Sequence, residues 1–263
     1  MSSLDQTVQE RVSEEEWELR VELAAAYRVF AMLGWTHIIH THITVKVPGK
    51  EDHYLINPYG FRFDEITASS LVKVDAAGGI IDNGSTDCPI NPAGFKIHSA
   101  LHTCERAINW VMHIHVHEVN AVANLKGGLI RGLSVFSMDI GDISYHDFQH
   151  AKSGESDVCD RMVSDLGPVN KVLLLRNHGS ITVGDTVYEA FYLTYELVEA
   201  CKVQVLTQSA AGSDSGYTVV PDEVVEETFQ IVQNNYTGKG FGKLEWDAMV
   251  RKMEAEQGLG YRE

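Results

Sequence analysis

Residues 166–184 read LGPVNKVLLLRNHGSITVG, an apolar run that ends at Asn-His-Gly and is followed by a second β-rich segment. Apolar and β-branched runs bounded by Gly and Pro predict two strands joined by a tight turn. We expect Gly179 to permit a positive φ, and the turn to set His178 at an edge of the sheet. An ordinary hairpin, in which Asn177 and His178 serve only the turn, is the alternative.

Helical and strand patterns alternate around this hairpin. Residues 13–34 predict a helix that begins after Ser13 and ends at Gly34, and residues 186–212 predict a long amphipathic helix. Strands are predicted in HITVKVPG (42–49), HYLINPYG (53–60), LVKVDAAGGIID (71–82), NWVMHIH (109–115) and LSVFSM (133–138), and further helices at 91–104, 118–128 and 156–167. The alternation predicts an α/β domain with a mixed central sheet and helices around it.

The composition argues against several classes of function. The 263 residues carry 21 Lys and Arg against 37 Asp and Glu, a formal net charge of −16. This acidity disfavours nucleic acid and anionic membranes as partners, and its simplest role is solubility. The four cysteines form no Cys-x-x-Cys pair, and the sequence shows neither a signal-peptide pattern nor an apolar run of membrane-spanning length. We therefore expect reduced thiols and a cytoplasmic location.

Histidines at every second position mark the stretch NWVMHIHVHEV, residues 109–119. Alternate residues of a strand share a face, so His113 and His115 project together about 7 Å apart, close enough to share a metal. The preceding apolar residues predict a buried strand, where an imidazole needs a hydrogen-bond partner or a metal. Structural or surface histidines are the alternative. We expect His117 to start the next helix and to face substrate instead of binding the metal.

Other polar groups are further candidates. Tyr145 and His146, in GDISYHDF (141–148), offer acid–base groups, although a solvated loop explains them equally well. His98 and His102 stand four residues apart on a predicted helix, a spacing that can bind a metal, but ordinary helix residues are the simpler interpretation.

Taken together, these segments resemble the class II aldolase/adducin family over roughly residues 20–210. The resemblance rests on GWTHIIHTHITVKVPG, HYLINPYGFRFDEITASSLVKVD, NPAGFKIHSALH, VMHIHVHEVNAVANL, GDISYHDF and the stretch from residue 166 to Cys201. It implies a three-layer αβα fold with a central, mainly antiparallel sheet, assembled as a homotetramer. It also implies one divalent metal ion per chain, Zn, Mn or Fe, bound by His113, His115 and His178.

The chain departs from the sugar-phosphate members of the family where they bind substrate. Pro92 and Ala93 replace the serines that hold the phosphate, and Gly94 replaces the acid that transfers a proton. His42 stands where those members carry Asn, and the pair 59–60 is Tyr-Gly in place of Ser-Gly. We therefore predict that a sugar phosphate is not the substrate. The candidate substrate-binding residues are His42, Tyr59, Gly60, Gly94 and Asn177.

Three functions remain open. The first is a metal-dependent lyase that cleaves a C–C bond, as a decarboxylase or aldolase, in a small unphosphorylated keto, hydroxy or aromatic carboxylate. Proton transfer would fall to Tyr145 or His146, with His117 or His42 assisting. The second is a non-haem Fe(II) oxygenase acting on an aryl-pyruvate or hydroxy acid. The third is a non-catalytic scaffold like the adducin head, which the motifs resemble most; against it stands the presence of all three metal histidines.

We expect residues 1–212 to form the metal-binding domain and residues 213–263 a helical tail that packs on this domain or on a neighbouring subunit. With the chain ending at Glu263, the long tail of adducins is not expected. Phe241, Trp246 and Tyr261 are candidates to cap a neighbour's pocket, and packing of the tail on its own domain is the alternative.

Overall fold

The computed structural model describes residues 6–49, 51–106, 108–148, 155–212, 216–235 and 240–263. The chain divides into two compact units. The first comprises residues 1–112, 185–187 and 247–263, and the second comprises residues 113–184 and 188–246.

The described residues contain the following strands and helices. The strands are β1 (His42–Lys46), β2 (His53–Ile56), β3 (Val72–Asp75), β4 (Ile80–Asp82), β5 (Trp110–Ile114), β6 (Ile143–His146), β7 (Val172–Leu175) and β8 (Gly179–Gly184). The helices are α1 (Val8–Arg11), α2 (Glu14–Met32), α3 (Pro92–Thr103), α4 (His117–Ala123), α5 (Val135–Asp139), α6 (Glu155–Leu166), α7 (Val187–Ala211), α8 (Asp222–Asn235) and α9 (Lys243–Gln257), with short 3-10 turns at Phe63–Glu65, Arg131–Leu133 and Gly260–Arg262.

The first unit has the strand order β4-β3-β2-β1-β5, and β1 to β4 pair antiparallel in sequence. Helices α2 and α3 pack on β1. The hydroxyl of Tyr27, a buried residue of α2, accepts the backbone N–H of Ile43 at 2.9 Å and that of Asn57 at 3.2 Å. One buried side chain therefore ties α2 to β1 and to the end of β2.

The second unit has the strand order β5-β8-β7-β6, since β5 passes from one unit into the other. β7 and β8 are antiparallel, whereas β6 runs parallel to β7, so the sheet is mixed. Helix α4 packs on β7 and β8, and α6 packs on β6 and β7. Each unit is a sheet with helices packed against it, which confirms the predicted α/β class with a mainly antiparallel sheet.

The strand predicted at residues 133–138 is wrong. Those residues form the end of a 3-10 turn and the start of α5. Ser134 and Ser137 exchange side-chain to backbone hydrogen bonds of 3.3 Å and 3.1 Å, a capping box that starts a helix. An apolar run this short does not distinguish a strand from a helix by its period.

The aromatic residues proposed as caps pack inside their own unit. Trp246 packs against Phe191 with ring centroids 5.3 Å apart and ring planes tilted by 59°, and Phe241 lies edge-on to Tyr192 at 4.8 Å. Tyr261 is 3% exposed. These residues therefore pack within their own unit, as the alternative interpretation predicted. A contribution of the same residues to a neighbouring subunit stays a prediction.

Among the described helices, none has both the length and the apolar character that crossing a bilayer requires.

Candidate metal centre

Three imidazoles converge in the second unit. His113 lies on β5, His115 follows the end of that strand, and His178 lies in the turn between β7 and β8. One ring nitrogen of each lies within 4.8 Å of the others, and the Nε2 atoms of His113 and His115 are 2.7 Å apart. The structure thus brings together the three residues for which sequence predicts a shared metal.

The turn that carries His178 differs in detail from the expectation. Asn177 has the positive φ, +61°, while Gly179 lies outside the left-handed region, so the positive φ expected at Gly179 is wrong. Asn tolerates this conformation better than most residues. Glycine is needed at position 179 for another reason: a Cβ there would collide with the backbone oxygen of Ile114 and lie 3.0 Å from Cδ2 of His115.

Backbone hydrogen bonds orient the triad. Nδ1 of His113 donates to the backbone oxygen of Ser180 at 2.9 Å, which fixes the proton on Nδ1 and leaves Nε2 as the ligand atom. The backbone oxygen of His178 accepts from Nδ2 of Asn120 at 3.3 Å. Each hydrogen bond fixes a segment that carries a proposed metal ligand, and the atoms that form it are not the atoms that would bind the metal.

The electrostatics suit a cation in this place. Burial lowers the pKa of the His178 imidazole, and the proximity of His146 lowers that pKa further, which favours the neutral form of His178. A histidine ligand must be neutral to offer its lone pair. Three imidazole nitrogens around one centre are a protein ligand set found in catalytic zinc sites, and they are compatible with Mn and Fe. The residues therefore fit a divalent metal.

The proposed proton-transfer residues lie in the same unit. The Tyr145 hydroxyl accepts the N–H of Leu129 at 2.9 Å, and burial raises its pKa, so the hydroxyl keeps its proton at neutral pH. His146 is buried at the end of β6, where Nδ1 donates to Oδ2 of Asp165 at 2.6 Å. His117 is the exposed first residue of α4, as predicted.

The candidate substrate-binding residues are divided between the units. In the first unit His42 and Gly94 touch, since a Cβ built on Gly94 would collide with the His42 ring. Tyr59 lies beside His40, with ring centroids 6.3 Å apart, and Gly60 is exposed with φ +118°. Asn177, in the second unit, is exposed.

Sequence interpretation missed a buried chain of polar side chains in the first unit. Nδ1 of His42 lies 2.8 Å from Nε2 of His98, and the Thr44 hydroxyl lies 2.7 Å from Nδ1 of His98 and 2.7 Å from Nε2 of His102. Nδ1 of His102 is 2.9 Å from the backbone oxygen of Ile108. Two signals were available: residues 42 and 44 share a strand face, and residues 98 and 102 share a helix face.

Comparison with known proteins agrees with this architecture. Residues 21–205 match the family model described as Class II Aldolase and Adducin N-terminal domain. The crystal structure of an aldolase II superfamily protein from Pseudomonas syringae superposes with a TM-score of 0.88 at 40% identity, covering 98% of this chain and 100% of that one. L-fuculose 1-phosphate aldolase from Glaciozyma antarctica PI12 superposes with a TM-score of 0.80 at 29% identity, covering 95% and 93%.

Alpha-adducin of Mus musculus is 38% identical over 251 residues, which are 93% of this chain and 34% of the adducin. The chain therefore spans about a third of the length of that relative. With the match to the family model, these similarities show that the chain belongs to the class II aldolase and adducin family.

Proposed function

We propose that this protein is a divalent-metal-dependent lyase that cleaves a C–C bond, by decarboxylation or aldol cleavage, in a small unphosphorylated keto, hydroxy or aromatic carboxylate. The observation that carries the proposal is the convergence of His113, His115 and His178. A metal ion bound there would supply Lewis-acid polarisation of a substrate carbonyl or enolate oxygen.

Two consecutive side chains of β6 are the proposed proton-transfer groups. Because Tyr145 keeps its proton at neutral pH, we assign it the role of proton donor. His146 donates from Nδ1 to Asp165, which leaves Nε2 as the ring atom for proton exchange, and we assign His146 the role of proton acceptor. His117 and Asn177, both exposed, are proposed to meet the substrate without binding the metal.

The unphosphorylated substrate is proposed from the side chains of the first unit. His42, Tyr59, Gly60 and Gly94, together with Pro92 and Ala93, stand where sugar-phosphate members are expected to offer small hydroxyl groups to a phosphate. The similarity to the Glaciozyma enzyme favours aldol cleavage, and it makes L-fuculose 1-phosphate the competing substrate.

One experiment separates these possibilities. Metal-free protein is loaded with Zn²⁺, Mn²⁺ or Fe²⁺ and given a panel of 2-keto, 2-hydroxy and aromatic carboxylates beside L-fuculose 1-phosphate, with and without oxygen. Release of CO₂ or an aldehyde without oxygen, lost in His113→Ala, supports the lyase. Turnover of L-fuculose 1-phosphate at rates typical of enzymes contradicts the unphosphorylated substrate.

Two other outcomes of that experiment identify the alternative functions. Turnover that requires Fe²⁺ and consumes oxygen identifies a non-haem oxygenase, for which three histidines can serve as the ligand set. The similarity to alpha-adducin favours a non-catalytic scaffold. A metal content below about a tenth of an ion per chain, together with unchanged stability in His113→Ala, identifies the scaffold. A metal site would contribute its binding energy to the folded protein, so removal of a ligand would lower the stability.

We also propose a cytoplasmic homotetramer, supported by the family membership. The proposed division into a metal-binding domain, residues 1–212, and a tail, residues 213–263, is tested by shortening the chain after residue 212. Sedimentation analysis of the two proteins, together with their metal content, shows whether the tail serves the assembly, the metal site or neither.

A further inference from the structure

We propose that a cleft of the first unit binds a small organic carboxylate that carries a branched apolar group. The cleft has a volume of about 530 Å³, which lies in the range of pockets that hold small molecules. Its polar lining includes Arg28, Thr36 and Gln257, and its apolar lining consists of Ala31, Ile38 and Phe63. All of these residues belong to the first unit, so the proposed site is separate from the metal triad of the second unit.

Arg28 supplies the charge that a carboxylate requires. Nε of this half-buried residue of α2 donates to the backbone oxygen of Ile66 at 2.9 Å, which orients the guanidinium. Among the residues that the structure describes, none accepts a hydrogen bond from its two terminal nitrogens. Burial lowers the pKa of Arg28, whereas Asp64 and Glu65 raise it, and an arginine keeps its charge at neutral pH. Four N–H groups of an oriented cation are therefore left for a ligand, and a carboxylate can accept two of them in parallel.

Ile38 has a strained backbone conformation at the same cleft. Its φ is +52°, in the left-handed region, which is unfavourable for a β-branched residue and which glycine adopts without strain. The side chain is 68% exposed, so burial in the core does not offset the strain. Strained residues of this kind cluster where a ligand uses the conformation. We assign Ile38 the role of placing an apolar side chain beside the ligand.

The other charged groups of the cleft favour a ligand with a single negative charge. Arg62 is already paired, because its Nε and Nη2 atoms lie 3.0 Å and 3.3 Å from the Asp64 carboxylate and its Nη1 atom lies 3.4 Å from Glu65. The Asp64 carboxylate also lines the cleft, and it would repel a dianion such as phosphate more strongly than a monoanion. A carboxylate therefore suits the cleft better than a phosphate does.

The apolar lining indicates the rest of the ligand. Ala31 and Phe63 line the cleft together with Ile38, and a branched alkyl group among these three side chains would remove apolar surface from water. Thr36 and Gln257 can donate further hydrogen bonds to the carboxylate. The compound 3-methylbutanoate combines the carboxylate with a branched alkyl group and is the probe.

Binding is measured by NMR on the whole protein as purified, with ¹³C in the methyl groups of isoleucine and alanine. The Ile38 and Ala31 resonances are expected to shift until 3-methylbutanoate saturates the cleft, whereas the fully buried Ile43 and Ile56 stay unchanged. The amide 3-methylbutanamide has the same shape without the charge. It should bind at least about 10-fold more weakly, because a hydrogen bond to a charged group is lost. Resonances of Ile38 and Ala31 that do not shift, or equal binding of the amide, overturn the proposal.

Two substitutions of Arg28 test its role. Arg28→Gln should weaken binding about 10–100-fold, and Arg28→Lys should still weaken it about 10-fold, because lysine keeps the charge but cannot donate in parallel. Arg62→Gln is the matched control at the other arginine of the cleft. It should weaken binding no more than about threefold, because exposed charges interact weakly through water. An equal loss in Arg28→Gln and Arg62→Gln overturns the specific role of Arg28.

Ile38→Gly tests the strained position. Glycine relieves the strain, so the temperature of unfolding should rise. Affinity, followed at the Ala31 methyl group, should fall about fivefold with the loss of the apolar contact. Higher stability with unaltered affinity overturns the role of Ile38.

Two further measurements locate the ligand. Inorganic phosphate at the same concentration should leave 3-methylbutanoate in place, and displacement of the probe overturns the preference for a carboxylate. His113→Ala removes a proposed metal ligand, and it should leave the shifts of Ile38 and Ala31 unaltered. Loss of those shifts in His113→Ala overturns a site that is separate from the triad. None of these measurements depends on lyase activity, so their failure is distinguishable from a failure of the proposed function.

Discussion

The metal triad of the second unit and the buried hydrogen-bond chain of the first unit, which we call the histidine chain (His42, His98, Thr44 and His102), share one kind of anchor and differ at the next ring nitrogen. In each, one imidazole donates from Nδ1 to a backbone oxygen: His113 to Ser180, and His102 to Ile108. The difference lies at Nε2. In His113 this atom faces another ring nitrogen at 2.7 Å, whereas in His102 it faces the hydroxyl of Thr44.

A histidine's role in these clusters therefore depends on the group that its second nitrogen meets. Lone pairs that face one another repel unless a proton or a cation lies between them, which favours a metal in the triad. A hydroxyl between two rings relays a hydrogen bond and favours ordered protons. The hydrogen bond from Nδ1 to a backbone oxygen is common to His113 and His102, so it does not by itself distinguish a metal ligand from a member of a hydrogen-bond chain.

The largest expected effect tests the metal half of the comparison. His113→Ala removes one of three ligands, so zinc affinity should fall at least about 100-fold, beyond what the loss of a supporting group costs. Competition with a chromophoric chelator measures the change. His98→Ala, in the histidine chain, should leave zinc affinity unaltered, and an equal loss in both variants would erase the distinction between the clusters.

The pH dependence of stability tests the other half. Burial lowers the pKa of His102 from 6.5 to about 4, so below pH 6.5 the unfolded chain takes up a proton that the folded protein refuses. Its share of the free energy of unfolding therefore falls by about 2 kcal/mol between pH 7 and pH 5, and the loss reaches about 3 kcal/mol once the pH is below the folded pKa of about 4.

Urea unfolding at both pH values measures this fall for the unaltered protein and for His102→Gln. The variant should lose about 2 kcal/mol less on acidification, because glutamine does not titrate. His53→Gln, at a half-buried histidine beside Glu51, is the control because it leaves His102 in place. Equal slopes in all three proteins would show that the inner end of the histidine chain is not held neutral by burial.

A smaller effect is expected where the histidine chain meets α3. Alanine gains about 1 kcal/mol over glycine inside a helix, yet Gly94→Ala should destabilise the protein by about 1–2 kcal/mol because its Cβ collides with His42. Thermal unfolding measures the difference. Gly127→Ala, where a Cβ meets nothing within 4 Å, is the control.

The double variant His42→Ala with Gly94→Ala attributes that cost to the collision. Removing the ring opens the space, so the two changes should destabilise by less than their sum. Additive costs would indicate that some other contact keeps position 94 small.

The smallest effect separates the turn from the substrate site. Asn177→Gly should change the free energy of unfolding by no more than about 0.5 kcal/mol, because glycine adopts a positive φ without strain. Asn177→Val should cost about 1–2 kcal/mol. If Asn177→Gly keeps its zinc and stability but loses turnover, the side chain meets substrate; if turnover persists, Asn177 serves the turn alone.

Local patterns predicted much of the fold and the membership of the triad. The cap at Ser13, the helix that starts at Pro92 and the pair of strands around Asn177 all follow from the residues themselves. Alternation gave His113 and His115 one face. The strand predicted at residues 133–138 was wrong because Ser134 and Ser137 cap a helix there, whereas the apolar residues alone favoured a strand.

Local patterns show that residues 42 and 44 share a strand face and that residues 98 and 102 share a helix face, but they do not show that the two faces meet. His42 and His98 lie 56 positions apart, and only the packing of α3 on β1 brings them together. The hydroxyl that links the rings belongs to Thr44, a residue type common in any strand. The positive φ was expected at Gly179 and lies at Asn177, which the ordinary-hairpin alternative allowed, whereas Gly179 is required by its close approach to Ile114.

That approach has a consequence for engineering. Gly179 faces the backbone oxygen of Ile114 with no side chain between them, so the spacing of the two segments that carry the ligands is set by main-chain atoms. Repacking the neighbouring side chains will leave this spacing largely constant. To make the centre prefer another metal, the donor atom should be exchanged, for instance by His178→Asp or His178→Cys. The spacing of the ligand segments is set by the main-chain contact of Gly179 with Ile114 and is harder to change.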